Sequence, residues 1–86
     1  MITAAQMRAA RALLSIDQKT LAELSGLSVP TIQRMEASSG NVRGVVDSLT
    51  KVVAALEFAG IELIGEGMIS TAQGRGVRLK SPQPKP

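Results

Sequence analysis

The sequence contains no cysteine, histidine, tryptophan or tyrosine, and Phe58 is its single aromatic residue. Without cysteine, the chain can form neither a disulfide nor a thiolate metal site, and a reducing compartment such as the cytoplasm suits it. Without histidine, it lacks the commonest general base and metal ligand, so we predict no enzyme, no metal site and no cofactor. Any core must therefore be packed from aliphatic side chains.

Long apolar runs are also missing. No run approaches the roughly 20 residues that span a bilayer, and Arg8 and Arg11 interrupt the first stretch, so we expect no signal peptide. A length of 86 residues with 44% apolar residues fits one small domain with a modest core. The net charge of +3 is a weak indication of an anionic partner. We predict a cytoplasmic, nucleoid-associated protein.

The stretch from residue 18 to residue 36, QKTLAELSGLSVPTIQRME, organises the rest of the chain. A first helical pattern is formed by Leu21, Ala22 and Leu24, and a second is formed by Ile32 and Met35. Gly26 lies between the patterns, where a residue without Cβ can take the left-handed conformation that ends many helices. Two helices joined by a glycine-containing turn are the helix-turn-helix arrangement.

The apolar spacing predicts four helices, over residues 3–14, 18–25, 28–36 and 45–59. Each predicted helix begins with residues that suit a helix N-terminus, namely Thr3 with Gln6, Asp17, Ser28 with Pro30, and Asp47. A stripe along the fourth helix is formed by Val46, Leu49, Val52, Val53 and Leu56. Residues 37–44 are predicted as a loop from their composition.

After Gly60 the apolar pattern alternates, which is typical of strands. We predict a β-hairpin over residues 61–80 that presents one apolar face, made by Ile61, Leu63, Val77 and Leu79. Because an exposed strand edge invites pairing with another chain, this hairpin is predicted to join two copies into a homodimer. Residues 81–86 contain three of the four prolines and are predicted to be a disordered tail. The domain boundaries are thus 1–60, 61–80 and 81–86.

The chain resembles the Cro/repressor-type helix-turn-helix proteins of the XRE family between about residues 7 and 56. The resemblance is carried by Arg11, Ile16-Asp17-Gln18, Leu21-Ala22, Gly26-Leu27-Ser28, Thr31-Ile32 and Arg34-Met35-Glu36. It implies a mainly α, four-helix lambda-repressor-like domain, here followed by the hairpin. It also implies that the helix after Ser28 lies in the major groove of DNA.

The resemblance implies a set of DNA-binding residues: Gln18, Ser28, Val29, Pro30, Thr31, Gln33, Arg34 and Arg43. In the family, the position of Gln18 grips a phosphate, the position of Ser28 contacts the DNA backbone, and the loop carrying Arg43 approaches the backbone or minor groove. The family also pairs an arginine of the first helix with a glutamate that ends the recognition helix, so Arg11 and Glu36 are expected to form a structural ion pair.

Two features depart from the family pattern. Val29 and Pro30 replace residues that often carry hydrogen-bonding side chains, so direct base recognition is expected to depend on Arg34 and Gln33. The usual fifth helix is replaced by the predicted hairpin, so the family's dimer geometry is not assumed.

These observations predict a bacterial or phage-type transcriptional regulator, a repressor that binds a palindromic DNA site as a homodimer. An alternative is an antitoxin that represses its own gene through the same domain and holds a toxin with its hairpin and tail. A protein-interaction module that has lost DNA binding is a third reading, and Val29 and Pro30 are compatible with it.

Overall fold

The computed structural model describes residues 2–42 and 44–80, and it is mainly helical, as predicted. Its four helices are α1 (Ala4–Leu14), α2 (Gln18–Ser25), α3 (Val29–Glu36) and α4 (Val46–Phe58). Helix α2 packs against α3 and α4, and α1 packs against α3. Within the described ranges, no helix is long and apolar enough to cross a membrane.

The first three helices begin at the predicted capping residues. The Gln6 N–H donates to Thr3 Oγ1 at 3.0 Å and the Thr3 N–H donates to Gln6 Oε1 at 2.8 Å, which completes a capping box. The Thr20 N–H donates to Asp17 at 2.8 Å and lowers the pKa of that carboxyl. Because the folded pKa is depressed, this stabilisation is present at neutral pH and is lost as the pH falls through the folded value.

Gly26 ends α2 in the left-handed conformation, with φ of 71°. Its N–H donates to the Glu23 carbonyl at 3.3 Å, and the next N–H, from Leu27, donates to the Ala22 carbonyl at 3.0 Å. These bonds satisfy carbonyls at the end of α2 and turn the chain toward α3. The predicted glycine turn between α2 and α3 is therefore present.

We expect Gly26→Ala to lower the free energy of unfolding by about 1–2 kcal/mol, because an L side chain is strained in the left-handed region. A Cβ at this position would meet no other atom within 4 Å, so the cost comes from the backbone conformation alone. Urea denaturation measures the change. Gly44→Ala is the matched control, since Gly44 has equally open surroundings and no positive φ. An equal loss in both variants would contradict this explanation.

The core is aliphatic and lies where α1, α2, α3 and α4 meet. Its buried apolar members are Ile2, Ala4, Met7, Ala10, Leu21, Ala22, Ile32, Met35, Val42, Val52 and Leu56. Leu49 and Val53 pack partly against this core, as the stripe predicted, but Val46 is 78% exposed and lies outside it. Val46 is the first residue of α4.

The segment after α3, predicted as a loop over residues 37–44, is tied to the start of the chain through residues 40–42. Thr3 and Asn41 form an isolated antiparallel bridge. The Ala4 N–H donates to the Gly40 carbonyl and the Val42 N–H donates to the Ile2 carbonyl, each at 3.0 Å. Ile2 and Val42 are consequently buried in the core. This pairing holds the end of α3 against the start of α1.

The predicted C-terminal hairpin is not formed, and no strand is found in residues 2–42 and 44–80. Ile61 and Leu63 pack partly against the core, whereas Val77 and Leu79 are 80% and 95% exposed. The four residues therefore do not share one face in the monomer. A two-stranded ribbon is marginal in water without a surface to pack on, and the alternating pattern alone cannot supply one. The predicted tail, residues 81–86, lies outside the described residues.

Candidate nucleic-acid interface

Helix α3 has one face in the core and one face in solvent. Ile32, Met35 and Glu36 are buried, whereas Pro30, Gln33 and Arg34 are exposed. Ser28 begins the helix by accepting the Thr31 N–H at 3.3 Å, and proline in the first turn costs no helical hydrogen bond. The sequence predicted this division of α3. No other part of the described chain covers the exposed half.

Three side chains one turn apart form a hydrogen-bonded row on α3. The hydroxyls of Ser28 and Thr31 lie 2.9 Å apart, and the Arg34 guanidinium donates to Thr31 Oγ1 at 3.3 Å. Thr31 is half-buried and thus limits where the exposed Arg34 can point. The row presents hydroxyl and guanidinium groups, which are donors to phosphate and to base edges.

The predicted ion pair between Arg11 and Glu36 is present and fixes the C-terminal end of α3. Arg11 Nε donates to Glu36 Oε2 and an Arg11 terminal nitrogen donates to Oε1, both at 2.7 Å. The Glu36 side chain is only 4% exposed. The hydrogen bond to Glu36 raises the pKa of Arg11 above its ordinary value. This two-point contact anchors α3 to α1. Both carboxylate oxygens of Glu36 accept hydrogen bonds from Arg11, so we assign Glu36 no contact with DNA.

Two further side chains join this pair. Arg8 donates to the backbone carbonyl of Glu36 at 2.6 Å, where α3 ends and a positive charge is favourable. Gln18 Nε2 donates to Glu36 Oε1 at 3.2 Å. No contact was predicted for Arg8 from the sequence, although its spacing of three from Arg11 places both arginines on one side of α1.

The bond to Glu36 bears on the predicted role of Gln18. An amide nitrogen has two hydrogens, and the bond to Glu36 uses one of them. The second remains for a phosphate oxygen, at the start of α2 where backbone N–H groups also favour an anion. Gln18 is thus hydrogen-bonded to Glu36 at the end of α3 and keeps a donor for the predicted contact with a DNA phosphate.

The remaining predicted DNA-binding residues differ in their exposure. Val29 is half-buried and packs partly against the core, so only part of its side chain faces outward. Ser28 and Pro30 are exposed. Arg43 lies outside the described residues. The structure thus brings Ser28, Thr31 and Arg34 together and reduces the surface that Val29 can offer.

The described residues contain no group of three or more acidic side chains placed to hold a metal ion. No protein-family model matches the chain, and no curated protein matches it in sequence. The resemblance to the XRE family therefore stays a prediction that depends on the residues quoted for it.

Proposed function

We propose that the protein binds double-stranded DNA in a sequence-specific manner and acts as a helix-turn-helix transcriptional regulator of the Cro/repressor (XRE) type, a repressor. The single observation that carries this proposal is the division of α3, whose buried side packs on the body while its exposed side carries Arg34, Gln33 and Pro30. A helix presented in this way fits the width of the major groove.

Each exposed side chain of α3 has a chemical counterpart in that groove. The Arg34 guanidinium can donate two hydrogen bonds to O6 and N7 of a guanine, and the Gln33 amide can pair with N6 and N7 of an adenine. Pro30 offers an apolar contact to a thymine methyl group. Ser28 and Gln18 supply neutral donors to the phosphates on either side, which fix the position of α3 without reading sequence.

A homodimer on a palindromic site is part of the proposal. The sequence predicted a dimer contact through Ile61, Leu63, Val77 and Leu79, but the first two pack on their own core. Phe58, 94% exposed, lies beside Leu24 at a groove of about 370 Å³ between α2 and α4. A two-fold axis places the same patch on both partners, so a second copy can bury both Phe58 side chains at once. We propose this face as the dimer contact.

Selection of bound sequences from a pool of random duplexes tests the function. We expect enrichment of a two-fold symmetric site whose half-sites are about 34–36 Å apart, or a multiple of that spacing, because each α3 must meet the major groove on one side of the duplex. Enrichment of a single half-site would contradict the dimer and leave DNA recognition supported. No enrichment at all would contradict the function.

We expect Arg34→Ala to weaken binding to the selected site by about 1–3 kcal/mol and to relax the preference at one base pair of each half-site. The truncation removes the charged fork and leaves the buried side of α3 intact, so the free energy of unfolding should hardly change. Fluorescence anisotropy and urea denaturation measure the two quantities. Glu57→Ala is the control, since Glu57 is exposed on α4 and is not among the residues that line the groove beside Phe58. Equal loss of affinity in both variants would contradict the role of Arg34.

A further inference from the structure

Positive charge is distributed unevenly along the chain. Residues 1–66 contain six Lys/Arg and seven Asp/Glu, whereas residues 67–86 contain four Lys/Arg and no Asp/Glu. The segment that carries α1 to α4 is thus slightly acidic, and the whole positive excess of the protein lies after it. Since phosphate contacts supply much of the affinity of DNA-binding proteins, the helical segment by itself is poorly equipped for that task.

The basic arm, residues 74–80 (GRGVRLK), is exposed along its whole length. Its three cations are Arg75, Arg78 and Lys80. In the part of the chain that the structure describes, none of them pairs with a carboxylate or donates a hydrogen bond to the protein. The charges are consequently not used to hold the fold together.

The segment before the arm is held by hydrogen bonds that involve Glu62 and Ile64. The hydroxyl of Ser70 and the backbone N–H of Thr71 donate to the Glu62 carboxylate and lower its pKa. Gln6 of α1 donates to the Ile64 carbonyl at 3.1 Å. Leu13, four residues before the Asp17 cap of α2, lines one cavity together with residues of the arm. The arm therefore borders Leu13, near the end of α1 and the connection to α2.

Glycines flank Arg75 on both sides. Gly74 has φ of 111°, a conformation that favours glycine. Gly76 has no positive φ, and a Cβ there would meet nothing within 4 Å. Nothing within the described protein therefore requires glycine at position 76. Close approach of the backbone to a ligand is a common reason for glycine, and it fits an arginine that must enter a narrow space.

We propose that the basic arm lies in the minor groove next to the site bound by α3, with Arg75 inserted and Arg78 and Lys80 on the flanking phosphates. This inference rests on the proposed function. The minor groove is only about 6 Å wide, which suits a backbone whose arginine has glycine neighbours. Seven extended residues span about 23–25 Å, which is less than the roughly 34–36 Å rise of one helical turn, so the arm can follow the groove for a few base pairs. Narrow A·T-rich grooves carry an enhanced negative potential that attracts arginine.

The test uses duplexes that share the selected core and differ only in the flanking base pairs, which are A·T, G·C or inosine·C. Inosine lacks the N2 amino group of guanine, so inosine·C resembles A·T in the minor groove and G·C in the major groove. We expect the full chain to bind the A·T and inosine·C flanks on the order of fivefold or more tighter than the G·C flanks. Equal affinity for G·C and inosine·C flanks would overturn placement in the minor groove.

The triple variant Arg75→Gln, Arg78→Gln, Lys80→Gln tests the contribution of the charges. We expect it to bind all three duplexes alike. The slope of log Kd against log salt should fall by roughly two to three for each bound protomer, because about 0.9 counterion is released per phosphate neutralised. Glu57→Gln is the single-charge control at an exposed position of α4, and it should keep both the slope and the flank preference. A triple variant that retains both would overturn the arm's role.

The two proposals fail differently. If the full chain selects no core sequence, the proposed function fails. If it selects a core that Arg34→Ala relaxes while the triple variant keeps the wild-type slope and flank preference, DNA recognition by α3 stands and the arm proposal alone is overturned. If the triple variant retains full DNA affinity and instead loses binding to an acidic protein, the arm is a protein-binding segment and the proposal is wrong.

Discussion

Glu36→Ala is expected to lower the free energy of unfolding by about 3–5 kcal/mol, the range found when one partner of a buried ion pair is removed. Glu36 accepts hydrogen bonds from Arg11 and Gln18 through its carboxylate. The truncation would leave the Arg11 guanidinium, largely covered by the fold, without a counter-charge. Stability should therefore fall before any change in DNA affinity, and urea denaturation measures the difference directly.

Glu23→Ala is the matched control for this variant. Glu23 is an exposed glutamate of α2, so its truncation should change the free energy of unfolding by no more than about 0.5 kcal/mol. At a temperature where Glu36→Ala is still folded, its affinity for the selected duplex should lie close to that of the wild type. A variant that unfolds like the wild type would contradict the view that Glu36 anchors α3.

Ile32→Ala is expected to cost about 2–5 kcal/mol, the usual range for truncating a fully buried isoleucine or leucine. Ile32 has no exposed surface and lies on the side of α3 that faces the core. Its loss removes apolar contacts and leaves a cavity beneath α3. We expect the melting temperature to fall steeply, and calorimetry or circular dichroism follows that change.

Gln33→Ala provides the comparison, because Gln33 is the next residue of the same helix and is exposed. We expect its stability to stay within about 0.5 kcal/mol of the wild type, while its affinity for DNA falls. The pair of variants thus separates the two sides of α3. Similar losses of stability at both positions would mean that α3 is not divided into a core side and a free side.

Local signals in the sequence were sufficient to predict where the helices lie. Thr3 with Gln6, Asp17 and Ser28 each satisfy backbone N–H groups within three residues, and Gly26 permits a turn through its own conformation. Such features depend on neighbours in the chain and can be read from it. The ion pair of Arg11 and Glu36 is a long-range contact, and it was predicted only through the resemblance to a family.

Other long-range contacts have no recognisable pattern in the sequence and could not be predicted from it. Arg8 reaches the end of α3 across 28 positions, and nothing in its surroundings distinguishes it from a solvent-exposed arginine. Ile2 and Val42 are buried because two short segments meet in space. The hairpin was a wrong prediction, because the alternating pattern in residues 61–80 indicated strands that are not formed. A strand also needs a partner strand, and Val77 and Leu79 have none within the described chain.

The most direct test of the central claim is a nuclear magnetic resonance titration of the 15N-labelled protein with the selected duplex. If the outer side of α3 enters the major groove, the largest shift changes will fall on the amides of Gln18 and of residues 28–34 other than Pro30, and a scrambled duplex will produce smaller changes there. Changes confined to α4, with the amides of α3 unaffected, would contradict the claim.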